Sequence, residues 1–330
     1  MHSNKGWKVL VTGGGGFIGS HLVARLLQIG AEVTVLARYT SSGKAGWLEF
    51  LPDDRKRHLT MLFGDVRDPD ICIKAVRGQE YIFHLAAQIA IPYSYIAPRD
   101  FLTVNGLGTA NLLQAARAEK VKKFLHVSTS EVYGSAQYVP IDEKHPQVAQ
   151  SPYSASKIAA DKLVESFHLS FGLQTVTVRP FNCYGPRQSA RAIIPTIILQ
   201  ALGGKNIGLG NVRTRRDMNY VEDIAEGMIA AAFSKKTIGK TINLATGRDY
   251  SIRDIVGMVG DILGKKLIIK TESRRLRPVD SEVMRLQGDG RLARKLIGYS
   301  PAHDLKSGLA ATIRFFENNI SQYKREDYQL

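Results

Sequence analysis

The sequence predicts an α/β fold, a doubly wound parallel sheet that carries a second, smaller and discontinuous α/β domain. Short apolar segments alternate with segments of helical periodicity over roughly the first half of the chain, as in parallel strands joined by helical crossovers. No turn signal typical of a hairpin separates these segments. A glycine-rich turn follows the first strand at once and opens the first helix. Together these features indicate helices on both faces of one sheet.

The predicted strands follow one another along the N-terminal half. Strands are expected at the apolar runs 8–11, 32–37, 59–63, 81–85, 124–128 and 174–178. After residue 182 the pattern changes to helices, basic clusters and short strands, but 220–233 predicts a helix and 240–244 a further strand of the main sheet. We therefore assign 1–182 and 217–246 to the sheet domain, and 183–216 and 247–330 to the second domain.

The composition excludes several classes of protein. The 330 residues are 44% hydrophobic and 23% charged, which is ordinary for a globular chain and excludes a disordered or fibrous one. The net charge of +15 is dispersed and no zinc-finger or RNP motif is present, so we expect phosphorylated small ligands rather than nucleic acid. No apolar run reaches about 18 residues, which predicts no membrane span. Cys72 and Cys183 form no metal or redox motif, so we expect no metal site and a cytoplasmic location.

The turn after the first strand carries Gly13, Gly16 and Gly19 in a GxxGxxG pattern, with Phe17 and Ile18 at the start of the helix. Glycines in this context permit a tight turn, close approach of the backbone to a pyrophosphate, and close packing of helix on strand. The helix N-terminus adds N–H donors and a positive dipole. Because the motif lies between a strand and a helix, it predicts a Rossmann dinucleotide site.

Further cofactor contacts are expected where later strands end at the same edge of the sheet. Strand 32–37 ends without the acidic residue that bonds the ribose in NAD-preferring sites, and Arg38 and Ser41 follow it. A cation with hydroxyl groups at this point favours NADP over NAD. Small residues after the fourth strand would let the cofactor lie over the strand end. The remaining candidates follow the third and fourth strands: Asp65, Val66, Leu85, Ala86 and Ala87.

Tyr153 and Lys157 stand four residues apart in YSASK and share one face if the segment is a helix. A cationic lysine beside a phenol stabilises the phenolate and lowers its pKa, which makes tyrosine a base near neutral pH. Thr129 and Glu131, after the preceding strand, add a hydroxyl and a carboxylate. These four residues form a candidate site for oxidising an alcohol, although the YxxxK spacing alone is also that of an ordinary helical pair.

Six motifs follow in order along the chain: TGGGGFIG, HLAA, STSEVYG, YSASK, RPFNCYGPR and TRRDMNYVED. With them the chain resembles, over nearly its whole length, the extended short-chain dehydrogenases/reductases that act on nucleotide sugars. STSEVYG is similar to the 4,6-dehydratases. Four longer segments are similar to the UDP- or GDP-N-acetylglucosamine 4,6-dehydratases of legionaminic-acid-type pathways. They are IAIPYSYIAP, SPYSASKIAAD, RPFNCYGPRQSARAIIPT and RPVDSEVMRL. RYTSS and the RP…EV…L pattern are also similar to GDP-mannose 4,6-dehydratases, which use NADP.

The resemblance implies a three-step reaction on one tightly bound, recycled NAD(P)+. Tyr153 takes the proton of the sugar 4-hydroxyl as hydride leaves C4, while Lys157 lowers the tyrosine pKa and Thr129 bonds the 4-oxygen. Glu131 then removes the C5 proton as water leaves C6, and hydride returns to C6 to give a 4-keto-6-deoxy sugar. Many dTDP-glucose dehydratases have an Asp general acid where this chain has Ser130. Glu131 must therefore act as both base and acid, or a water must substitute.

The resemblance also implies contacts with a nucleotide-diphosphate sugar in the second domain. Arg216 matches a position that binds the substrate diphosphate, and Asn182 is carried over in the same way. Arg277 is expected to meet a phosphate or the nucleotide, and Glu282 the nucleotide ribose. The other substrate candidates are Ser130, Arg187 and Arg191. A homodimer is the usual assembly in the resembling family and is expected here.

Three other functions stay open. UDP-glucuronate decarboxylases also carry TSEVYG and YxxxK, and would need a cation for the sugar carboxylate. A 4-epimerase needs no acid or base at C5 and usually has a small or apolar residue at the position of Glu131. A non-catalytic NAD(P)-binding regulator of the same fold would have no need of the four candidate catalytic residues.

Overall fold

The computed structural model describes residues 6–41, 43–276 and 282–323. Its main sheet consists of parallel strands: β1 Lys8–Thr12, β2 Glu32–Ala37, β3 Leu59–Phe63, β4 Tyr81–His84, β5 Lys123–Val127, β6 Thr175–Pro180 and β10 Lys240–Leu244. Their order in space is β3-β2-β1-β4-β5-β6-β10. The order reverses between β1 and β4, as in a doubly wound Rossmann sheet. The predicted fold class is confirmed, and each predicted strand agrees with the observed one to within two residues.

Helices cover both faces of this sheet. They are α1 Phe17–Gln28, α2 Asp53–Lys56, α3 Pro69–Val76, α4 Ile91–Ser94, α5 Pro98–Phe101, α6 Gly108–Ala118, α7 Pro152–Phe171 and α9 Val221–Phe233. Side chains of β1 alternate between two cores, because successive residues of a strand point to opposite faces. Val9 and Val11 pack with α1 and α9, whereas Leu10 packs with α3, α6 and α7. Burial on both faces explains the nearly continuous apolar strands.

The long helix α7, which carries YSASK, has a defined beginning and end. Ser151 and Ser154 form a capping box, in which each side chain bonds the other residue's backbone N–H. Pro152 occupies the first helical turn, where a missing N–H costs nothing. Gly172 ends the helix in the left-handed conformation, with φ of 67°. These local signals fix the start of α7 one residue before Tyr153.

The smaller part of the molecule has its own core. Its strands are β7 Asn182–Tyr184, β8 Asn206–Leu209, β9 Arg215–Tyr220, β11 Asp249–Ser251, β12 Ile268–Thr271 and β13 Arg285–Leu286. β9 pairs with β7, β11 and β13, and β8 pairs with β12. The helices here are α8 Ile193–Gly203, α10 Ile252–Leu263, α11 Arg291–Ile297 and α12 Leu305–Asn318. Helices α8, α10 and α12 pack together in one apolar cluster, which includes Ile197, Ile255 and Leu309.

Helix α11 differs from the other helices of the C-terminal segment. It lies within 247–330, but its Ala293 belongs to the apolar core that α1 and α9 form against the main sheet. Helices α11 and α12 therefore pack on different parts of the molecule. Within the described residues, no helix is both long enough and apolar enough to cross a bilayer.

Candidate active site

The glycine turn sits at the point where the strand order reverses. Gly13 follows β1 with φ of +72°, and a Cβ there would lie 2.9 Å from the backbone N of Ala86, which follows β4. A Cβ on Gly19 would collide with the carbonyl oxygen of Gly13. The turn, the start of α1 and the end of β4 are thus in closest contact, leaving open the crevice above the strand ends.

This crevice is a cleft of about 620 Å³. All of the predicted cofactor residues line it except Ser41, which is exposed beyond β2. Glycines in the tight turn, the N-terminus of α1 and the small residues Ala86 and Ala87 suit a dinucleotide, because each lets a backbone approach it closely. Arg191, predicted to bind substrate, also lines this cleft.

One end of the cleft is polar and cationic. The carboxylate of Asp65 accepts hydrogen bonds from Arg67, at 2.7 Å from Nη2 and 3.0 Å from Nε. These bonds lower the pKa of Asp65, and the nearby charge of Arg38 acts in the same direction. Sequence reasoning missed Arg67, because a cation four residues beyond a strand end has no distinguishing pattern. Arg38 and Arg67 place two guanidinium groups where β2 and β3 end.

Helix α7 brings Tyr153 and Lys157 to the other end of the same cleft. The Nζ atom of Lys157 donates a 2.8 Å hydrogen bond to the carbonyl oxygen of Val127, the last residue of β5. Tyr153 is half-buried, and Lys157 is only 2% exposed. The predicted pairing of the two residues on one helical face is confirmed.

A short 3-10 helix, Ser130–Tyr133, follows β5 and carries the carboxylate. Thr129 caps it, because its hydroxyl accepts a 3.2 Å hydrogen bond from the backbone N–H of Glu131. Two neighbours act on the pKa of the Tyr153 phenol: the Thr129 side chain lowers it and the charge of Glu131 raises it. Ser130, by contrast, is 3% exposed and packed inside the turn.

The pKa values differ from the simple expectation for a tyrosine–lysine pair. Burial raises the pKa of Tyr153 to about 12, and the hydrogen bond from Thr129 opposes this only in part. Burial also lowers the pKa of Lys157 to about 8, while the charge of Asp161 opposes it. The lowered phenol pKa expected from the sequence is therefore not found in the protein by itself, because loss of water outweighs the neighbouring groups.

Asn105 is a buried polar residue that joins two parts of the site. It lies in a π-helical segment, Leu102–Leu107, between α5 and α6, and is 1% exposed. Its side chain accepts a 2.8 Å bond from the backbone N of Gln88 and donates to Ser156 Oγ at 2.9 Å. It therefore ties the loop after β4 to α7, next to Lys157. A π-bulge often marks a functional site.

Three of the predicted substrate residues lie together on the smaller sheet. Asn182 on β7 pairs opposite Met218 on β9, two residues from Arg216. Arg216 is 6% exposed, and its guanidinium lies 3.9 Å from Glu282. The buried Asn182 Oδ1 has no hydrogen-bond partner. These groups form a polar surface on which a phosphorylated ligand could be held.

Arg187 lies in a different place from the other substrate candidates. Its guanidinium donates to Ser20 Oγ on α1 at 3.2 Å and lines a separate cleft with His21 and Glu222. The backbone at Arg187, with φ of 70°, turns the side chain to this side. Arg187 was predicted to bind substrate, but in the structure its guanidinium contacts α1 instead. Arg277, the remaining candidate, lies outside the described residues.

The cysteines and the strand histidines show no sign of activation. Burial raises the pKa of Cys72 to about 12 and raises that of Cys183 as well, so neither favours a thiolate. His84 bonds Thr12 and Thr109 inside the core, as expected for a structural residue. Among the described residues, no group of three or more His, Cys, Asp or Glu side chains is placed to hold a metal ion.

The fold and the site define an enzyme class. A Rossmann cleft, a Tyr–Lys pair at its inner end and a polar surface on a second, smaller sheet are the features of an extended short-chain dehydrogenase/reductase. The chain belongs to the GDP-mannose 4,6 dehydratase family, whose model matches residues 10–312. It is therefore an NAD(P)-binding enzyme of the nucleotide-sugar dehydratase and epimerase group.

Known relatives agree with this placement. The dTDP-glucose 4,6-dehydratase of Streptomyces antibioticus is 32% identical over 94% of this chain and 92% of its own. The dTDP-glucose 4,6-dehydratase of Streptomyces venezuelae, solved with NAD bound, superimposes with a TM-score of 0.85 at 30% identity, covering 96% and 98% of the two chains. The UDP-N-acetylglucosamine 4-epimerase of Methanobrevibacter ruminantium does so with 0.85 at 32% identity, covering 96% and 99%.

Proposed function

We propose that the protein is a nucleotide-sugar 4,6-dehydratase that acts on UDP- or GDP-N-acetylglucosamine and forms the 4-keto-6-deoxy sugar. The observation that carries the proposal is the position of Glu131 on the turn after β5, where Thr129 caps its backbone N–H and its charge acts on the phenol of Tyr153. Oxidation at C4 needs only the tyrosine, the lysine and a cofactor. A carboxylate that shares the same site is needed when a proton must also leave C5.

In the first step, Tyr153 accepts the proton of the 4-hydroxyl. Thr129, whose side chain lowers the pKa of the phenol, would bond the 4-oxygen. The Lys157 ammonium, fixed by its bond to Val127, supplies positive charge on the same helical face. A phenol whose pKa is about 12 needs such a charge to release its own proton at neutral pH.

Bound NAD(P)+ would take the hydride from C4 and return it to C6. The new 4-ketone acidifies the C5 proton, which Glu131 removes while the C6 hydroxyl leaves as water. Ser130, in the position of the Asp general acid of many dTDP-glucose dehydratases, is buried and carries no acidic proton. We therefore infer that Glu131 transfers the C5 proton to the departing hydroxyl itself. A single carboxylate can serve both roles, because it gains one proton and loses one. As hydride adds to C6, a proton from solvent replaces the one that C5 lost.

The substrate diphosphate is proposed to bind at Arg216, with Asn182 and Glu282 beside it. Arg216 is buried on β9, and the next residue, Asp217, accepts bonds from backbone N–H groups of Thr246 and Gly247 at 3.0 and 2.9 Å. These bonds anchor the strand. A guanidinium held on a fixed strand suits a diphosphate, which it can bind with two parallel hydrogen bonds.

We further propose NADP+ as the preferred cofactor, because Arg38 lines the end of the cleft and no acidic residue ends β2. The guanidinium of Arg38 favours a 2′-phosphate, whereas that of Arg67 is paired with Asp65. A homodimer is proposed from the family resemblance and from exposed apolar residues, Leu102 and Leu107, on the helix that lies against α7. Mass analysis of the nucleotide released on denaturation tests the cofactor, and light scattering tests the assembly.

The test of the main proposal is a product analysis with purified protein and a small panel of UDP- and GDP-linked sugars in D₂O. A 4-keto-6-deoxy product that carries deuterium at C5 supports the dehydratase. An unchanged C6 hydroxyl in all products contradicts it. Release of CO₂ from UDP-glucuronate would instead establish the decarboxylase.

A 4-epimerase is the second candidate, and Ser130 is the observation in its favour. Without an acid at that position, oxidation at C4 could be followed by return of hydride to C4 on the other face. The neighbour from Methanobrevibacter ruminantium is named a UDP-N-acetylglucosamine 4-epimerase. The same product analysis separates the two, because an epimerase leaves C5 undeuterated and C6 hydroxylated.

A further inference from the structure

A buried ionic cluster lies behind Lys157. Asp161 follows Lys157 by one turn of α7 and is 5% exposed. Its Oδ2 atom accepts bonds from Arg179 at 2.8 and 3.1 Å and from Gln147 at 3.2 Å. Arg179 also donates to Tyr133 at 3.0 Å. One carboxylate oxygen is thus fully engaged, which fixes the orientation of the whole group.

The other carboxylate oxygen is free of hydrogen bonds. Asp161 Oδ1 lies 3.4 Å from His126 Nε2, within ion-pair distance but without hydrogen-bond geometry. Of the ten buried side-chain N and O atoms that lack a hydrogen-bond partner in the described residues, four belong to His126, Ser128 and Asp161. Such atoms are costly to bury, so their clustering at one place needs a reason.

Asp161 lies between two clefts. Lys157 and Ser128 line the cofactor cleft, whereas Asp161 and Arg179 line a second cleft of about 370 Å³ at the other end of this cluster. Between the two clefts, Asp161 Oδ1 and the Ser128 hydroxyl are buried without a hydrogen-bond partner. Asp161 therefore keeps one unpaired carboxylate oxygen on the helix that carries Lys157.

Lys157 is surrounded by groups that do not neutralise it. Burial lowers the pKa of His126 to about 4, and the pKa of His84 is also lowered, so both rings are neutral at pH 7. Tyr153 is neutral as well, because burial raises its pKa to about 12, and Arg179 is not among the groups that act on Lys157. Asp161 is the charged group that raises the pKa of Lys157. An ammonium without water needs such a counter-charge.

We propose that Asp161 is a positioning residue for the reaction: its carboxylate, held by Arg179, keeps the buried Lys157 charged across one turn of α7. The role in catalysis rests on the proposed function, because it matters only if Lys157 serves Tyr153. The effect of Asp161 on Lys157 does not rest on the proposed function, because it concerns the ionisation of one side chain in the folded protein.

The experiment measures the ionisation of Lys157 directly. Protein labelled with [¹³Cε]lysine is titrated by NMR, and the Lys157 signal is assigned by its loss in Lys157→Met. In Asp161→Asn the pKa of Lys157 should fall by about one unit or more, since a near counter-charge shifts a pKa by ~1–3 units. Where turnover is found, the alkaline limb of kcat/KM should move to lower pH by the same amount. Asp161→Glu should restore both values.

The matched control is Glu165→Gln, one further turn along α7. Glu165 is exposed, pairs with Lys162 and lines the same second cleft, so the variant removes an equal charge from the same helix. It should leave the pKa of Lys157 unchanged. An unchanged Lys157 pKa in folded Asp161→Asn overturns the proposal. If no nucleotide sugar is turned over, the proposed function fails but the NMR result still decides this inference.

Asp161→Asn leaves Arg179 buried without a counter-ion and can fail to fold for that reason. The double variant Asp161→Asn/Arg179→Gln replaces both charges with amides that can bond each other. Arg179 is not among the groups that shift the pKa of Lys157, so this protein should show the same fall as the single variant. A Lys157 pKa equal to that of the parent protein in the folded double variant also overturns the proposal.

Discussion

The Nζ atom of Lys157 is bonded to the carbonyl oxygen of Val127 at 2.8 Å, which joins the YSASK helix to the end of β5. Thr129 and Glu131 follow β5 within four residues of that carbonyl. The bond therefore fixes the helix that carries Tyr153 against the turn that carries the carboxylate. The relative positions of phenol, hydroxyl and carboxylate follow from this one contact between two elements.

Tyr153→Phe should abolish the first oxidation, because the phenol is the only group proposed to take the 4-hydroxyl proton. We expect kcat to fall by ~10²–10⁴-fold, the usual contribution of a general base. The check is single-turnover absorbance of the reduced cofactor. Tyr138→Phe is the control, since Tyr138 is exposed and bonds Asp142 far from the cleft. Near-parental turnover in Tyr153→Phe would rule out its role as base.

Glu131→Gln should separate oxidation from elimination. The amide keeps the size of the side chain but cannot take the C5 proton, so the variant should retain cofactor and reduce it while forming no 6-deoxy product. Product NMR and cofactor absorbance, measured together, check this. Glu165→Gln serves as the control for a glutamate elsewhere on the protein surface. Full dehydration by Glu131→Gln would refute the assigned role.

Gly13→Ala should weaken cofactor binding. The added Cβ would lie 2.9 Å from the backbone N of Ala86, so the turn and the end of β4 must separate. Gly78→Ala is a close control, because Gly78 has the same φ of +72° but nothing within 4 Å of its Cβ. Both variants place alanine in a left-handed backbone conformation. Only Gly13→Ala adds an atom that crowds the wall of the cleft. With overpacking at ~1–3 kcal/mol, calorimetry should show the affinity of Gly13→Ala about tenfold lower or more.

Equal affinities of the two variants would show that the contact with Ala86 does not shape the cofactor site. A loss in both relative to the parent protein would assign the effect to left-handed backbone strain alone.

Local patterns predicted much of this molecule. The alternation of apolar runs with helical segments predicted the parallel sheet, because strands buried on both faces are apolar along their length. The glycine motif placed the cleft, because only glycine tolerates the contact at Gly13. YSASK, with its serine cap, placed Tyr153 and Lys157 on one face of α7. Each of these signals acts within a few residues, so it is visible in the sequence.

Features that depend on distant contacts were not predictable. The ion pair of Asp161 with Arg179 joins α7 to β6, and its partners are 18 residues apart in the chain. Asn105 hydrogen-bonds Gln88 and Ser156 only when three separate segments of the chain have folded together. Arg187 followed the expected motif but turned toward α1. The pKa of Tyr153 depends on how completely the fold removes water, which spacing does not encode.

The buried Asp161 should make stability depend on pH. Burial opposes its charge, but His126 and Arg179 bring the pKa of Asp161 from 3.8 down to about 2. A carboxyl whose folded pKa is depressed contributes stability above its unfolded pKa, and that contribution is lost as pH falls from about 4 toward 2. Urea unfolding between pH 6 and pH 3 should therefore show a smaller pH slope for Asp161→Asn than for the control Asp70→Asn, an exposed carboxylate. Identical slopes would contradict this account.

Arg38→Ala should change cofactor preference. Loss of the guanidinium at the end of β2 removes a partner for a 2′-phosphate but not for a ribose hydroxyl. The ratio of NADP to NAD affinity, from fluorescence titration of the stripped protein, should fall by about tenfold, the equivalent of ~1.4 kcal/mol. Arg99→Ala, on the exposed side of α5, should leave the ratio unchanged. A parental ratio in Arg38→Ala would remove the case for NADP.

The central claim is that oxidation at C4 is followed by elimination across C5 and C6. The most direct measurement is the NMR spectrum of the product formed from UDP- or GDP-N-acetylglucosamine in D₂O. For the proposed dehydratase reaction we expect a product with a C6 methyl group, a ketone or its hydrate at C4, and one deuterium at C5. A product with its C6 hydroxyl intact, no deuterium at C5 and inverted configuration at C4 would contradict it.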